Sequence, residues 1–118
     1  MKTILLVEDD AKLRGALQEA LQERGYKVEV AENGEAALTR LQEEARPSLI
    51  LLDLMMPGVD GWDFLARRRI DPSLPAIPVV VLSAQLLGPA RDSVLPASGF
   101  VRKPIDMEEL VAEVERHL

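Results

Sequence analysis

Apolar residues in this chain occur in two rhythms, short unbroken runs and stripes at helical spacing. Ile4-Leu5-Leu6-Val7, Leu49-Ile50-Leu51-Leu52 and residues 77–82 are runs without a polar break, each followed by a polar or acidic residue. Such runs suit strands buried on both faces of a parallel sheet. Between them, residues 11–24 carry Leu13, Leu17, Ala20 and Leu21 on one helical stripe, and Gly25 follows as a helix-terminating residue. Residues 26–31 alternate through Val28 and Val30, which predicts a second strand, polar on one side and nearer a sheet edge. Asn33 is placed to cap a helix over residues 34–44, with Ala37, Leu38 and Leu41 facing inward. A short helix is expected over residues 62–69, burying Phe64 and Leu65, before the loop marked by Asp71-Pro72 and Pro75.

Two further elements complete the pattern. Gly99-Phe100-Val101 reads as a brief fifth strand. Asp106 then opens a last helix with the capping-box pattern, and Met107, Leu110, Val111, Val114 and Leu118 form its stripe. The connection over residues 85–98 is the irregular one. Gly88-Pro89 permits a helix to begin, but Pro96 forbids it to continue, so at most residues 89–95 are helical. A shortened or irregular fourth helix, more mobile than the first and last, is expected there.

Strands alternating with helices, joined by right-handed crossovers, predict an α/β fold. The architecture is a doubly wound five-stranded parallel sheet in the flavodoxin-like order 2-1-3-4-5. In that order strands one and three are neighbours where the winding reverses. Ligands of such sheets bind at the carboxyl ends of the strands. That edge is where Glu8 and Asp9 follow strand one, Asp53 follows strand three, Ser83 follows strand four and Lys103 follows strand five. Each has an ordinary structural explanation as a cap, turn former or surface charge, yet all five converge on one crevice.

Composition narrows the chemistry. The chain has 118 residues, a single-domain length, and a net charge of −6, which argues against non-specific binding of nucleic acid or anionic membrane. Cysteine is absent, so disulfides and thiolate metal sites are excluded. No stretch approaches a membrane span and the N-terminal apolar run is too short for a signal peptide, so a soluble cytoplasmic protein is the expectation. Arg67-Arg68-Arg69 reads as the solvated last turn of a helix, and His117 as a solvated residue at a helix C-terminus.

Three carboxylates brought together repel one another unless a cation joins them. All-oxygen ligands favour a hard ion, and hydrated Mg²⁺ suits phosphate chemistry. Lys103 offers a point charge to Asp53 or to a phosphoryl oxygen, and Ser83 a hydroxyl. These parts can hold a phosphoryl group while Asp53 attacks it, forming an acyl phosphate.

The chain resembles the receiver domain of two-component response regulators over essentially its whole length, residues 1–118. The matching pieces are Ile4-Leu5-Leu6-Val7-Glu8-Asp9-Asp10, the stretch from Leu52 through Pro57-Gly58 to Gly61, Leu82-Ser83-Ala84 and Phe100-Val101-Arg102-Lys103-Pro104. The resemblance implies that Asp53 accepts a phosphoryl group from a sensor histidine kinase or phosphotransfer protein. It implies Mg²⁺ held by Asp9, Glu8, Asp53 and the Met55 carbonyl. It also implies a switch pair, Ser83 and Phe100, and a cis peptide between Lys103 and Pro104. Such a domain is not an enzyme in the ordinary sense, catalysing only its own phosphorylation and dephosphorylation before meeting an unknown downstream protein. The interval from Ser83 to Lys103 is shorter than the resemblance leads one to expect, and Phe100 lacks a hydroxyl, so switching there is by packing.

Other readings stay open. A phosphatase with an aspartate nucleophile ordinarily needs a second Asp two residues on, where this chain has Met55. A flavin-binding domain needs a phosphate loop after strand one, where Glu8-Asp9-Asp10 would repel phosphate. A receiver-like scaffold that is never phosphorylated is the remaining alternative. The protein would act either as a single-domain regulator or as part of a longer chain.

Overall fold

The computed structural model describes residues 2–42, 46–53, 77–83 and 98–118. Their order is β1 (Thr3–Val7), α1 (Ala11–Glu23), β2 (Lys27–Ala31), α2 (Gly34–Leu41), β3 (Leu49–Asp53), β4 (Val79–Ser83), β5 (Gly99–Arg102) and α3 (Met107–Arg116). The strands form one parallel sheet in the order β2-β1-β3-β4-β5, as the sequence pattern predicts. The expected helix over residues 62–69, the irregular segment 85–97 and the Arg67-Arg68-Arg69 run lie outside the described residues.

Strand periodicity divides the core between the two faces of the sheet. Leu5, Val7, Ile50, Leu52, Val79 and Val81 pack on one side with Ala37 and Leu41 of α2. Ile4, Leu6, Leu49, Leu51, Val80 and Leu82 pack on the other with Leu17 and Leu21 of α1 and Leu110 and Val114 of α3. Consecutive strand residues thus serve opposite layers, which is why residues 4–7, 49–52 and 79–82 are apolar without a break. Each fully buried Leu, Ile or Val contributes about 1.5–3 kcal/mol to this assembly.

Local chemistry fixes where the helices start and stop. Asp10 Oδ1 accepts hydrogen bonds from the Lys12 and Leu13 amides at 3.0 and 3.2 Å, capping α1. Asn33 does the same for α2 through the Ala36 amide at 2.8 Å, and Asp106 for α3 through Glu108 and Glu109 at 2.9 and 3.3 Å. At the end of α1, the Gly25 amide donates to the Gln22 carbonyl and the Tyr26 amide to the Leu21 carbonyl. This paired closure needs a left-handed residue, and Gly25 has φ of 93°.

The edge position expected of the second strand holds: β2 has a neighbour on one side only, and of the two valines on one face Val28 packs into the core while Val30 is 45% exposed. One expectation changes. His117 is not simply solvated: it is partly buried, and its Nε2 lies 3.0 Å from Glu113 Oε1, one helical turn earlier. Among the described residues, no helix is long and apolar enough to cross a membrane.

Candidate functional site

Sheet register brings the acidic residues together. Val7 lies opposite Leu52 across the β1–β3 pair, so Glu8 leaves β1 level with Asp53, the last residue of β3. Asp53 in turn stands opposite Leu82, one position before Ser83, and Ser83 stands opposite Arg102, one before Lys103. The carboxyl edge of the sheet therefore collects Glu8, Asp9, Asp53 and Lys103, together with the backbone of Ser83. The side chain of Ser83 and all of Met55 lie outside the described residues.

Glu8 is fully buried and Asp53 is only 4% exposed, which is unusual for carboxylates. Lys103 spans them, its Nζ lying 3.1 Å from Glu8 Oε1 and 3.2 Å from Asp53 Oδ2. Its peptide bond to Pro104 is cis, as expected. Asp9 is exposed, and one carboxylate oxygen from each of Glu8, Asp9 and Asp53 lies within 4.8 Å of the others. Among the described residues, Glu8 Oε2 is a buried oxygen with no hydrogen-bond partner. Phe100, on β5, is 37% exposed.

These positions shape the electrostatics. Burial pushes the Glu8 carboxyl up to about 8, and the neighbouring Asp53 carboxylate pushes in the same direction; Lys103 opposes both. For Lys103, burial favours the neutral amine, but the contacts with Glu8 and Asp53 outweigh it and raise its pKa. With the proton held on Glu8, Lys103 still faces two further acids, Asp53 and Asp9, so the pocket retains a demand for positive charge.

The three consecutive acids divide their work. Glu8 is buried in the site, Asp9 faces solvent at its mouth, and Asp10 serves α1 as its cap. Arg14 was not foreseen at all. Its Nη1 donates to the Glu8 carbonyl at 2.9 Å, and no residue-type pattern signals a guanidinium that binds main chain six positions back.

Comparison with known proteins identifies the family. The profile of the response regulator receiver domain matches residues 4–115. The chain belongs to the response regulator receiver domain family. It is 42% identical to the response regulator receiver protein CpdR of Brucella abortus, covering 100% of this chain and 98% of that protein. Several other relatives are longer, and the receiver chain spans about half their length. Among solved structures, the chemotaxis protein CheY4 of Vibrio cholerae superposes with a TM-score of 0.88 at 30% identity, covering 100% of this chain and 99% of that one. The response regulator TrrA of Thermotoga maritima, solved in complex with Mg²⁺-BeF, superposes with a TM-score of 0.87 at 33% identity, and each chain is covered at 100%. Receiver domains serve phosphorylation-based signalling in two-component systems, and this chain has the five-stranded sheet of that family with an acidic cluster at its carboxyl edge.

Proposed function

We propose that residues 1–118 form a phosphoacceptor domain in which Asp53 takes a phosphoryl group from a phosphohistidine of a sensor histidine kinase or phosphotransfer protein. One observation carries this reading: a buried Asp53 at a strand end, 3.2 Å from Lys103 Nζ and grouped with the carboxylates of Glu8 and Asp9. An Asp53 oxygen attacks phosphorus, the bond from phosphorus to the imidazole nitrogen breaks, and that nitrogen leaves with the electron pair. The product is an acyl phosphate on Asp53. Lys103 is positioned to pair with the oxygens of the incoming group, exchanging part of its contact with Glu8 for that charge.

The donor set fits Mg²⁺. Three clustered carboxyl groups supply hard oxygen ligands once Glu8 gives up its proton, and the buried Oε2 of Glu8 has no hydrogen-bond partner to compete with an ion. Asp9 and Asp53 would hold the ion directly, Glu8 through water, with the Met55 carbonyl as a further ligand. Bound there, Mg²⁺ would neutralise charge on the phosphoryl oxygens as transfer proceeds. The Mg²⁺-BeF complex of TrrA, a relative of the same fold, supports this assignment.

Ser83 and Phe100 are the proposed switch. The Ser83 hydroxyl would move toward the phosphoryl group, and the partly exposed ring of Phe100 would turn inward by packing alone, altering the face offered to a downstream protein. Catalysis is confined to the domain's own phosphorylation and dephosphorylation. The acidic balance disfavours nucleic acid and anionic membrane as direct partners. Incubation with Mg²⁺ and acetyl phosphate, followed by intact-mass measurement, is expected to add one phosphoryl group, and chelation of Mg²⁺ to abolish the gain. No gain in the presence of Mg²⁺ would favour the constitutive scaffold.

A further inference from the structure

Glu8 stands just past the end of β1, and its main chain is held from two sides. Its amide donates to the Ala31 carbonyl of β2 at 3.1 Å, continuing the parallel ladder by one bond. Its carbonyl accepts from Arg14 Nη1 of α1 at 2.9 Å, a part-buried contact between a side chain and the backbone six residues earlier. Asp10, two residues on, is fixed as the cap of α1, and its carbonyl accepts from the Arg14 amide at 2.8 Å. Arg14 thus contributes to both ends of the short segment that carries Glu8 and Asp9, the segment that presents two of the three clustered carboxylates.

We infer that Arg14 is a positioning residue for the cation site, acting through the Glu8 carbonyl to set where the Glu8 and Asp9 carboxylates stand. The inference rests on the Mg²⁺-binding reading above. A part-buried carbonyl beyond a strand end needs a donor, and the planar guanidinium offers several from one rigid group. Charge alone would give Arg14 the opposite effect. A permanent cation beside a cation site repels the ion, so if Arg14 acted only through its field, removing it would tighten Mg²⁺ binding. If it positions the ligands, removing it weakens binding. The sign of the change separates the two roles.

The test is Mg²⁺ affinity of the full chain, titrated at 25 °C on protein that circular dichroism shows to be folded, so that general stability does not enter. R14M keeps the length and apolar stem but no donor. R14K keeps the charge but not the fork, and K12M removes an exposed charge nearby without touching the Glu8 carbonyl. Loss of a supporting hydrogen bond around a metal typically weakens binding 10- to 100-fold, and R14M is expected to fall about tenfold, at the mild end. R14K should lie between R14M and the parent, and K12M should equal the parent or bind slightly tighter. An R14M affinity equal to the parent's, or tighter, overturns the inference. Should R14M fail to fold, R14K decides: weaker binding supports positioning, and unchanged binding refutes it. The underlying reading fails separately, and visibly, if the parent itself binds no Mg²⁺ or if D9N binds it as tightly as the parent does.

Discussion

Lys103 Nζ lies 3.2 Å from Asp53 Oδ2, joining residues fifty positions apart in the chain across the carboxyl edge of the sheet. The same ammonium reaches Glu8, so one cation joins two buried carboxyl groups. Replacing it leaves both without that partner. K103M is expected to destabilise the metal-free protein by roughly 3 kcal/mol, the low end for breaking a buried ion pair, because Glu8 can retain a proton. Urea unfolding in chelator measures this, and added Mg²⁺ should recover part of the loss.

Glu8 makes stability depend on pH. The folded protein holds a proton on Glu8 up to about 8, whereas an unperturbed glutamate releases it near 4.5. The stability associated with that proton is fully present below about 4.5 and is lost as pH rises through about 8. While one extra proton is held, the slope is about 1.4 kcal/mol per pH unit. Unfolding free energies measured in chelator should therefore fall across this window in the parent and follow a flatter course in E8Q. Because Mg²⁺ must displace the same proton, its binding should strengthen with rising pH over the same interval. A pH-independent Mg²⁺ affinity between 6 and 8.5, roughly, would contradict the buried protonated Glu8.

Mg²⁺ itself should raise the melting temperature. At 100 times its dissociation constant a single bound ion contributes roughly 2.7 kcal/mol by mass action. D9N should shrink that increment while leaving the metal-free melting temperature nearly unchanged, since Asp9 is exposed.

Asp10 tests the division of labour among the three acids. Its side chain caps α1 and is not one of the clustered carboxylates. D10A is expected to cost about 1 kcal/mol of stability, the usual value of an N-cap, yet to retain phosphorylation and Mg²⁺ binding. D9N should show the reverse pattern.

Much of this architecture was legible because it rests on local periodicity. Unbroken apolar runs marked β1, β3 and β4, and the polar residues ending them pointed to the candidate site, since register carries strand ends to one edge. Gly25 and the caps Asn33 and Asp106 were legible for the same reason: their partners lie within a few residues. What escaped depends on contacts between distant elements or on choices among equivalent neighbours. Nothing in Glu8-Asp9 tells the fully buried acid from the exposed one until the β1–β3 register is known. The Arg14 contact depends on how α1 folds back over the end of β1. Val30 and Val28 look alike in an alternating strand, and only the packing of the core shows that Val28 is covered and Val30 is not. The pairing of His117 with Glu113 sits at helical spacing and could have been foreseen, but its partial burial comes from packing of α3 against the sheet.

The central claim is that Asp53 is the acceptor, and chemical localisation tests it most directly. The protein is treated with Mg²⁺ and acetyl phosphate, reduced with borohydride, which converts an aspartyl phosphate to homoserine, and sequenced by tandem mass spectrometry. Homoserine at position 53, absent when Mg²⁺ is chelated and absent from D53A, is the predicted result. Homoserine at position 9, 10 or 60 in the parent, or an undiminished phosphoryl gain in D53A, would contradict the account.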